Sequence, residues 1–193
     1  MGVSISTGNT KVGSIPSVSM TPVLACHNNA PCRESGCMMR PLMLMRPTMR
    51  RAYKRNFDLA VRFPDAYFNM IDTFLNEIKP DMFRWHIAGD ILDQDYLENM
   101  YKLATVHADV KFLAFTKMHH LDFSHRPKNM SIILSMWTNW GNTTKKMPRA
   151  WMQDGTENRV PNNAIVCHGS CETCGMCWNL HNLGRDVVLP KHL

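Results

Sequence analysis

The sequence has no run of about 18 apolar residues, the length a helix needs to cross a bilayer, so no membrane-spanning helix and no membrane partner are expected. Its first 25 residues lack an apolar core. They mix Ser, Thr, Gly and Val with Lys11, and no secretory peptide is expected there. No internal repeat is visible. Charged residues are few, at 20%, which excludes a disordered polyelectrolyte, and 45% hydrophobic content over 193 residues supplies a sizeable core. Without an export signal a cytoplasmic location is expected, and a disulfide framework for the seven cysteines is not. Clustered cysteines in that setting point to metal binding or catalysis.

What is abundant is methionine, at 16, and positive charge, with 22 Lys and Arg against 16 Asp and Glu, a net +6. The excess is local. Arg40, Arg46, Arg50, Arg51, Lys54 and Arg55 follow one another with no acid between them. This run suits phosphates of a nucleic acid, a phosphate or carboxylate pocket near a cofactor, or a solvated helix face. Met38, Met39, Met43, Met45 and Met49 suit an apolar cofactor or partner, or a core.

The patterning predicts an α/β protein, either an open parallel sheet or a partial (β/α) barrel, with a cysteine-rich, metal-bound C-terminal extension. The whole chain, 1–193, reads as one domain. It divides into an N-terminal cysteine loop over 26–37, a β/α core over 82–166 and a cysteine-cluster tail over 167–193. Residues 1–25 read as an extended lead-in. Pro47 is placed to open a helix, with Met49, Ala52, Tyr53, Phe57 and Ala60 at helical spacing. Pro64 breaks that pattern, Asp65 is placed to cap a second helix, and Pro80 stops it. Strands are expected at 82–88, 110–116, 131–137 and 163–167, the third apolar enough to be buried on both faces. Asp93 is placed to cap a helix between the first two, and 138–160 reads as loops. In parallel sheets ligands sit at the carboxyl ends of the strands. Gly89-Asp90, Thr116-Lys117 and Thr138-Asn139 would lie there.

The cysteines form two groups. Cys167, Cys171, Cys174 and Cys177 stand within eleven residues, and four thiols at that density call for a soft metal. Zinc normally takes two separated knuckles, whereas a tightly wrapped run resembles the ferredoxin manner of holding an iron–sulfur cluster. The reading therefore prefers a [4Fe-4S] cluster, with zinc as the alternative. Cys26, Cys32 and Cys37 form the other group. Three ligands leave one iron of a cubane open, while four close it. One or two clusters, or one metal drawing on both groups, satisfy the count.

Asn9-Thr10-Lys11-Val12-Gly13-Ser14-Ile15-Pro16-Ser17, the three following cysteines, Arg84-Trp85-His86-Ile87-Ala88-Gly89-Asp90, Phe115-Thr116-Lys117 and Cys174-Gly175-Met176-Cys177-Trp178 occur in this order. Over most of the chain this pattern resembles the gene product 88 family of phage and prophage proteins, which implies a phage-infected or lysogenic bacterial host. More distantly, the layout looks like a shortened radical S-adenosylmethionine (SAM) enzyme. That resemblance implies cluster ligation by Cys26, Cys32 and Cys37, and Gly89-Asp90 in place of the glycine-rich turn that holds the SAM ammonium. It also implies an auxiliary cluster on Cys167, Cys171, Cys174 and Cys177. The N-terminal spacing is wider than that family's. Gly36 stands where an aromatic is usual, and Met38 where the phage family usually has Tyr.

Lesser signals are His119, His120 and His125, which are metal-capable, and His86 on the first expected core strand. Trp137, Trp140 and Trp151 suit a stacking platform or a core. Two function classes follow. One is a radical-SAM-like redox enzyme that binds SAM at an open iron, with Gly89, Asp90, Thr116 and Lys117 around the cofactor. The other is a metal-stabilised phage nucleic-acid-binding or host-interaction protein without catalysis.

Overall fold

In the computed structural model the described residues are 2–137, 140–141, 143–153 and 157–190. They form strands β1 (Ile5–Ser6), β2 (Ser17–Val18), β3 (Met82–Trp85), β4 (Lys111–Thr116), β5 (Met130–Met136), β6 (Arg149–Gln153), β7 (Ile165–Val166) and β8 (Val187–Pro190). The helices are α1 (Cys32–Ser35), α2 (Met39–Met45), α3 (Pro47–Arg62), α4 (Pro64–Ile78), α5 (Gln94–Val106), α6 (Cys171–Cys174) and α7 (Leu180–Leu183), with a 3₁₀ turn over Met176–Asn179.

The strands make one open sheet in the order β1-β2-β3-β4-β5-β6-β8-β7. Only β1 runs antiparallel to its neighbour, so the fold is an open, mostly parallel α/β sheet rather than a closed barrel. The C-terminal segment is part of that sheet, because β8 lies between β6 and β7. No helix among the described residues is long and apolar enough to cross a membrane.

Side chains alternate between the two faces of a strand, and this sheet buries both. One face carries Phe83, Trp85, Phe112, Ala114, Ile132, Leu134 and Trp151, packed with Tyr67, Ile71 and Leu75 of α4 and Leu97 and Met100 of α5. The other carries Leu113, Ile133, Ala150 and Val187. It is covered by Val12 and Ile15 from the N-terminal segment and by Trp178 and Leu180 from the cysteine-rich segment. The double burial expected for the third strand is therefore present in β5.

The helices begin where the prolines and the cap require. Pro47 opens α3 and Pro64 opens α4, since a residue at the first helical position has no hydrogen bond to lose. Asp65 thus sits in the first turn of α4 rather than capping it, and Phe63 occupies the cap position. The Asp93 side chain accepts from the Tyr96 amide at 2.8 Å and caps α5 as expected. Two differences matter for the site. β3 stops at Trp85, because His86 turns the backbone into the left-handed region at φ +53°. The loop expected over 138–160 contains β6.

Candidate functional site

Cys26 belongs to the loop that follows β2, Gly89 and Asp90 follow β3, and Thr116 and Lys117 end β4. Neighbouring parallel strands end side by side, so these three segments meet. Asp90 is their joint. Its buried carboxylate accepts from the Thr116 hydroxyl at 2.6 Å, the Lys117 amide at 2.8 Å and the Ile91 amide at 2.8 Å. Thr116 Oγ1 in turn accepts from the Met118 amide at 2.9 Å. Burial raises the Asp90 pKa, and Lys117 and these donors oppose the rise. The resemblance to SAM enzymes implies that Asp90 faces a ligand's ammonium group; in the structure its carboxylate ties the end of β3 to the end of β4.

Gly89 also turns out to serve the chain itself. Its φ is +83°, and a Cβ there would stand 2.9 Å from Met20 Cβ and 3.3 Å from Ala25 Cβ. The close approach is to the segment between β2 and Cys26, so the glycine seats the cysteine loop on the sheet. Gly89→Ala is expected to destabilise the protein by about 1–3 kcal/mol through backbone strain, with the crowding added. A urea unfolding midpoint equal to that of the wild type would contradict this account.

The N-terminal cysteines are all half-buried and unoxidised. Burial pushes the Cys26 thiol up to about 11, with Asp90 and Cys32 raising it further and Lys117 opposing. Arg33 braces the loop by donating to the Cys26 carbonyl at 3.2 Å and to Asn28 at 3.0 Å.

The second group lies against the other face of the sheet. Cys167 continues β7, its amide bonded to the Val188 carbonyl at 2.9 Å. Cys171 opens α6, its amide bonded to the Lys11 carbonyl at 3.0 Å. Cys177 sits in the 3₁₀ turn beside Trp178, whose indole donates to the Phe83 carbonyl at 3.4 Å. A side chain on Gly13, at φ +68°, would run into Glu172, to which Ser14 also donates. The N-terminal segment and the cysteine run, 158 residues apart from Ser14 to Glu172, are thereby clasped together.

Beside the second group lies a cavity of about 260 Å³, lined by Cys167, Cys171 and Cys177 together with Met38, Met39, Gly89, Asp90 and Lys117; Cys26, Cys32 and Cys37 do not line it. Cys174 is exposed. Arg84 of β3 reaches the same cavity, a residue the sequence reading did not single out. Its guanidinium lies 5.0 Å from the centre of the Phe115 ring, and Nη1 is 3.9 Å from Cys171 Sγ. Its Nε is buried without a hydrogen-bond partner, and among the described residues no carboxylate is paired with it. Burial lowers its pKa, while Cys171, Cys177 and Cys167 act to keep it charged. The Cys177 thiol is pushed up to about 12 by burial, and Cys171 also upward. Cys167, Cys171 and Cys177 thus put three soft donors on the cavity beside the Arg84 guanidinium. Among the described residues no three His, Cys, Asp or Glu side chains are already arranged as a metal site.

Of the remaining candidates, His86 and Trp137 line the same cavity, and the others fall elsewhere. His27 packs on His120 with ring centroids 5.6 Å apart and on Trp140 at 5.9 Å, and His119 packs on Trp140 at 4.8 Å. His125 is exposed. Trp151 is core, its indole donating to Asp186 at 2.8 Å, so the three tryptophans form no common platform. Thr138 and Asn139 lie outside the described residues. The basic residues from Arg40 to Arg55 are exposed, Arg40 on α2, Arg46 between α2 and α3, and the other four on α3.

The molecule is thus an open parallel α/β protein whose strand ends meet one cysteine loop and whose other sheet face carries a second cysteine segment. The gene product 88 family model matches residues 4–180, and the chain belongs to that family. No curated protein and no solved structure matches it.

Proposed function

We propose that the protein is an iron–sulfur enzyme of the radical-SAM type, with its substrate seated in the cavity lined by Cys167, Cys171 and Cys177. The observation that carries this reading is Arg84. A cation with buried nitrogens is costly unless negative charge compensates it; the Arg84 Nε is buried, and the groups that favour its charge are the thiols of Cys171, Cys177 and Cys167. Deprotonated cysteines around a cluster supply that charge, and metal binding is what releases the protons of thiols that burial otherwise keeps neutral.

The strand order supports the finer part of the reading. A three-cysteine loop follows the first parallel strand, and the turns after the next two strands close around it. Cys26, Cys32 and Cys37 would hold a cluster with one open iron, and Cys167, Cys171, Cys174 and Cys177 a second cluster. Such a cluster would supply one-electron reductive chemistry toward the sulfonium of SAM, with the electron coming from an external donor. The chain's own residues then have distinct tasks. Asp90 and Thr116 fix the loops, Lys117 presents an ammonium group at the cavity wall for a carboxylate, and Met38 and Met39 give the cavity apolar lining. Arg84 balances the charge of the thiolates.

Anaerobic reconstitution with iron and sulfide tests this. The protein should become brown, with broad sulfur-to-iron absorption, and titration calorimetry should detect SAM. Cys32→Ser should abolish SAM binding and remove only part of the iron. Cys177→Ser should lower soluble yield and metal content together. Colourless protein carrying stoichiometric zinc would favour the metal-stabilised binding protein. Brown protein without SAM affinity would leave the clusters and remove the enzyme.

A further inference from the structure

Outside residues 40–55 the sequence carries as many bases as acids, so the whole net charge of +6 resides in that one segment. The four of its cations on α3, Arg50, Arg51, Lys54 and Arg55, are placed unfavourably for the free protein. Arg50 and Lys54, and Arg51 and Arg55, stand four residues apart, where like charges weaken a helix. The first turn has no acid, so the cations crowd the half of the helix where its dipole disfavours them. A solvated helix face normally interleaves both signs. This one has Asp58 alone, bonded to Lys54 at 2.6 Å.

Three of the segment's six cations, Arg51, Lys54 and Arg55, line one open groove of about 420 Å³ with Arg62 and Asp58, and Phe63, 61% exposed, lines it too. At 1.5 Å per residue the stripe from Arg51 to Arg62 runs about 16 Å. Arg55 is braced by Ser4 Oγ at 3.3 Å. A row of cations leading to an exposed aromatic is the combination that tracks a phosphate backbone while stacking an unpaired base.

We infer that the α3 groove formed by Arg51, Lys54, Arg55, Arg62 and Phe63 is a binding site for single-stranded nucleic acid. The cations contact successive phosphates without reading sequence, and Phe63 stacks on a base. This surface is independent of the cysteine cavity.

Fluorescence anisotropy with a labelled oligonucleotide of about 16 nucleotides tests it on the full-length protein. The wild type should bind at low salt. With about four phosphates contacted, the slope of log K against log salt should be near −3 for a single strand. Arg51→Glu with Arg55→Glu should fold as the wild type, weaken binding by at least tenfold and halve the slope. Phe63→Ala should weaken binding roughly tenfold and leave the slope unchanged. Metal content and SAM affinity of these variants should match the wild type, which separates this site from the proposed enzyme. The inference is overturned if the wild type ignores the oligonucleotide, or binds anionic phosphatidylserine vesicles instead. It is also overturned if duplex is preferred and Phe63→Ala is neutral.

Discussion

Asp90→Ala is expected to destabilise the protein by on the order of 4 kcal/mol, because it strands the Thr116 hydroxyl and the Lys117 and Ile91 amides together. A buried donor left without its acceptor costs about 1–3 kcal/mol, and these three donors all converge on Asp90. Asp90→Asn should cost less, since its carbonyl oxygen still accepts, but its amide group must face one of the donors. Chemical denaturation of both variants gives the ranking. A loss below about 1 kcal/mol for alanine would show that the carboxylate is free to serve a ligand after all. The damage should also reach the cysteine loop, because the same turn holds Gly89 against Met20 and Ala25. Loss of SAM affinity in this variant is therefore informative only beside its unfolding curve.

The elements legible in the sequence were those that carry their own signal. α3, α4 and α5 follow from apolar spacing and from Pro47, Pro64 and Asp93, and β3, β4 and β5 from apolar runs bounded by polar residues. The strands that escaped are ones whose stability comes from their neighbours. β2 is two residues, Ser17 and Val18, held by β1 and β3 on its two sides. β8 lies beyond the cysteine run, yet inserts between β6 and β7. Short strands have little propensity of their own, and their pairing is not written in local pattern.

The site divides in the same way. The rule that ligand-facing groups gather at the carboxyl ends of parallel strands brought Gly89, Asp90, Thr116 and Lys117 together correctly as positions. It did not reveal what Asp90 touches, because its donors come from another strand end and are set by register. Arg84 is the clearest omission. On a strand that alternates buried and half-buried residues it reads as an outward-facing charge. It becomes a cavity residue only because Cys171 and Cys177, 87 and 93 positions later, fold across that face.

Acidification below pH 6.5 is expected to destabilise the protein steeply, through His86 and His181. Burial lowers the pKa of His86 to about 3, and burial with the nearby Arg126 lowers that of His181 to about 4. His86 is buried with both ring nitrogens unpartnered, between Trp85 and Tyr96. The His181 ring contacts the Ile132 carbonyl at 3.0 Å, which opposes but does not cancel the lowering of its pKa. The unfolded chain takes up these protons near pH 6.5 and the folded chain does not. Stability is therefore full above pH 6.5 and falls as pH drops, until it levels off below the folded pKa values. At about 1.4 kcal/mol per pKa unit, His86 contributes on the order of 5 kcal/mol. The half-buried His181 contributes about 2 after allowance for solvent screening. That total rivals the whole stability of an ordinary domain, about 5–15 kcal/mol. His86→Asn is the sharper test, because Asn accepts the left-handed backbone at φ +53° and does not titrate. Its unfolding free energy, measured from pH 7 to pH 4, should lose most of the wild-type slope while retaining that part due to His181. An unchanged slope would mean that His86 finds a partner, such as an ordered water, that lets it protonate inside the fold.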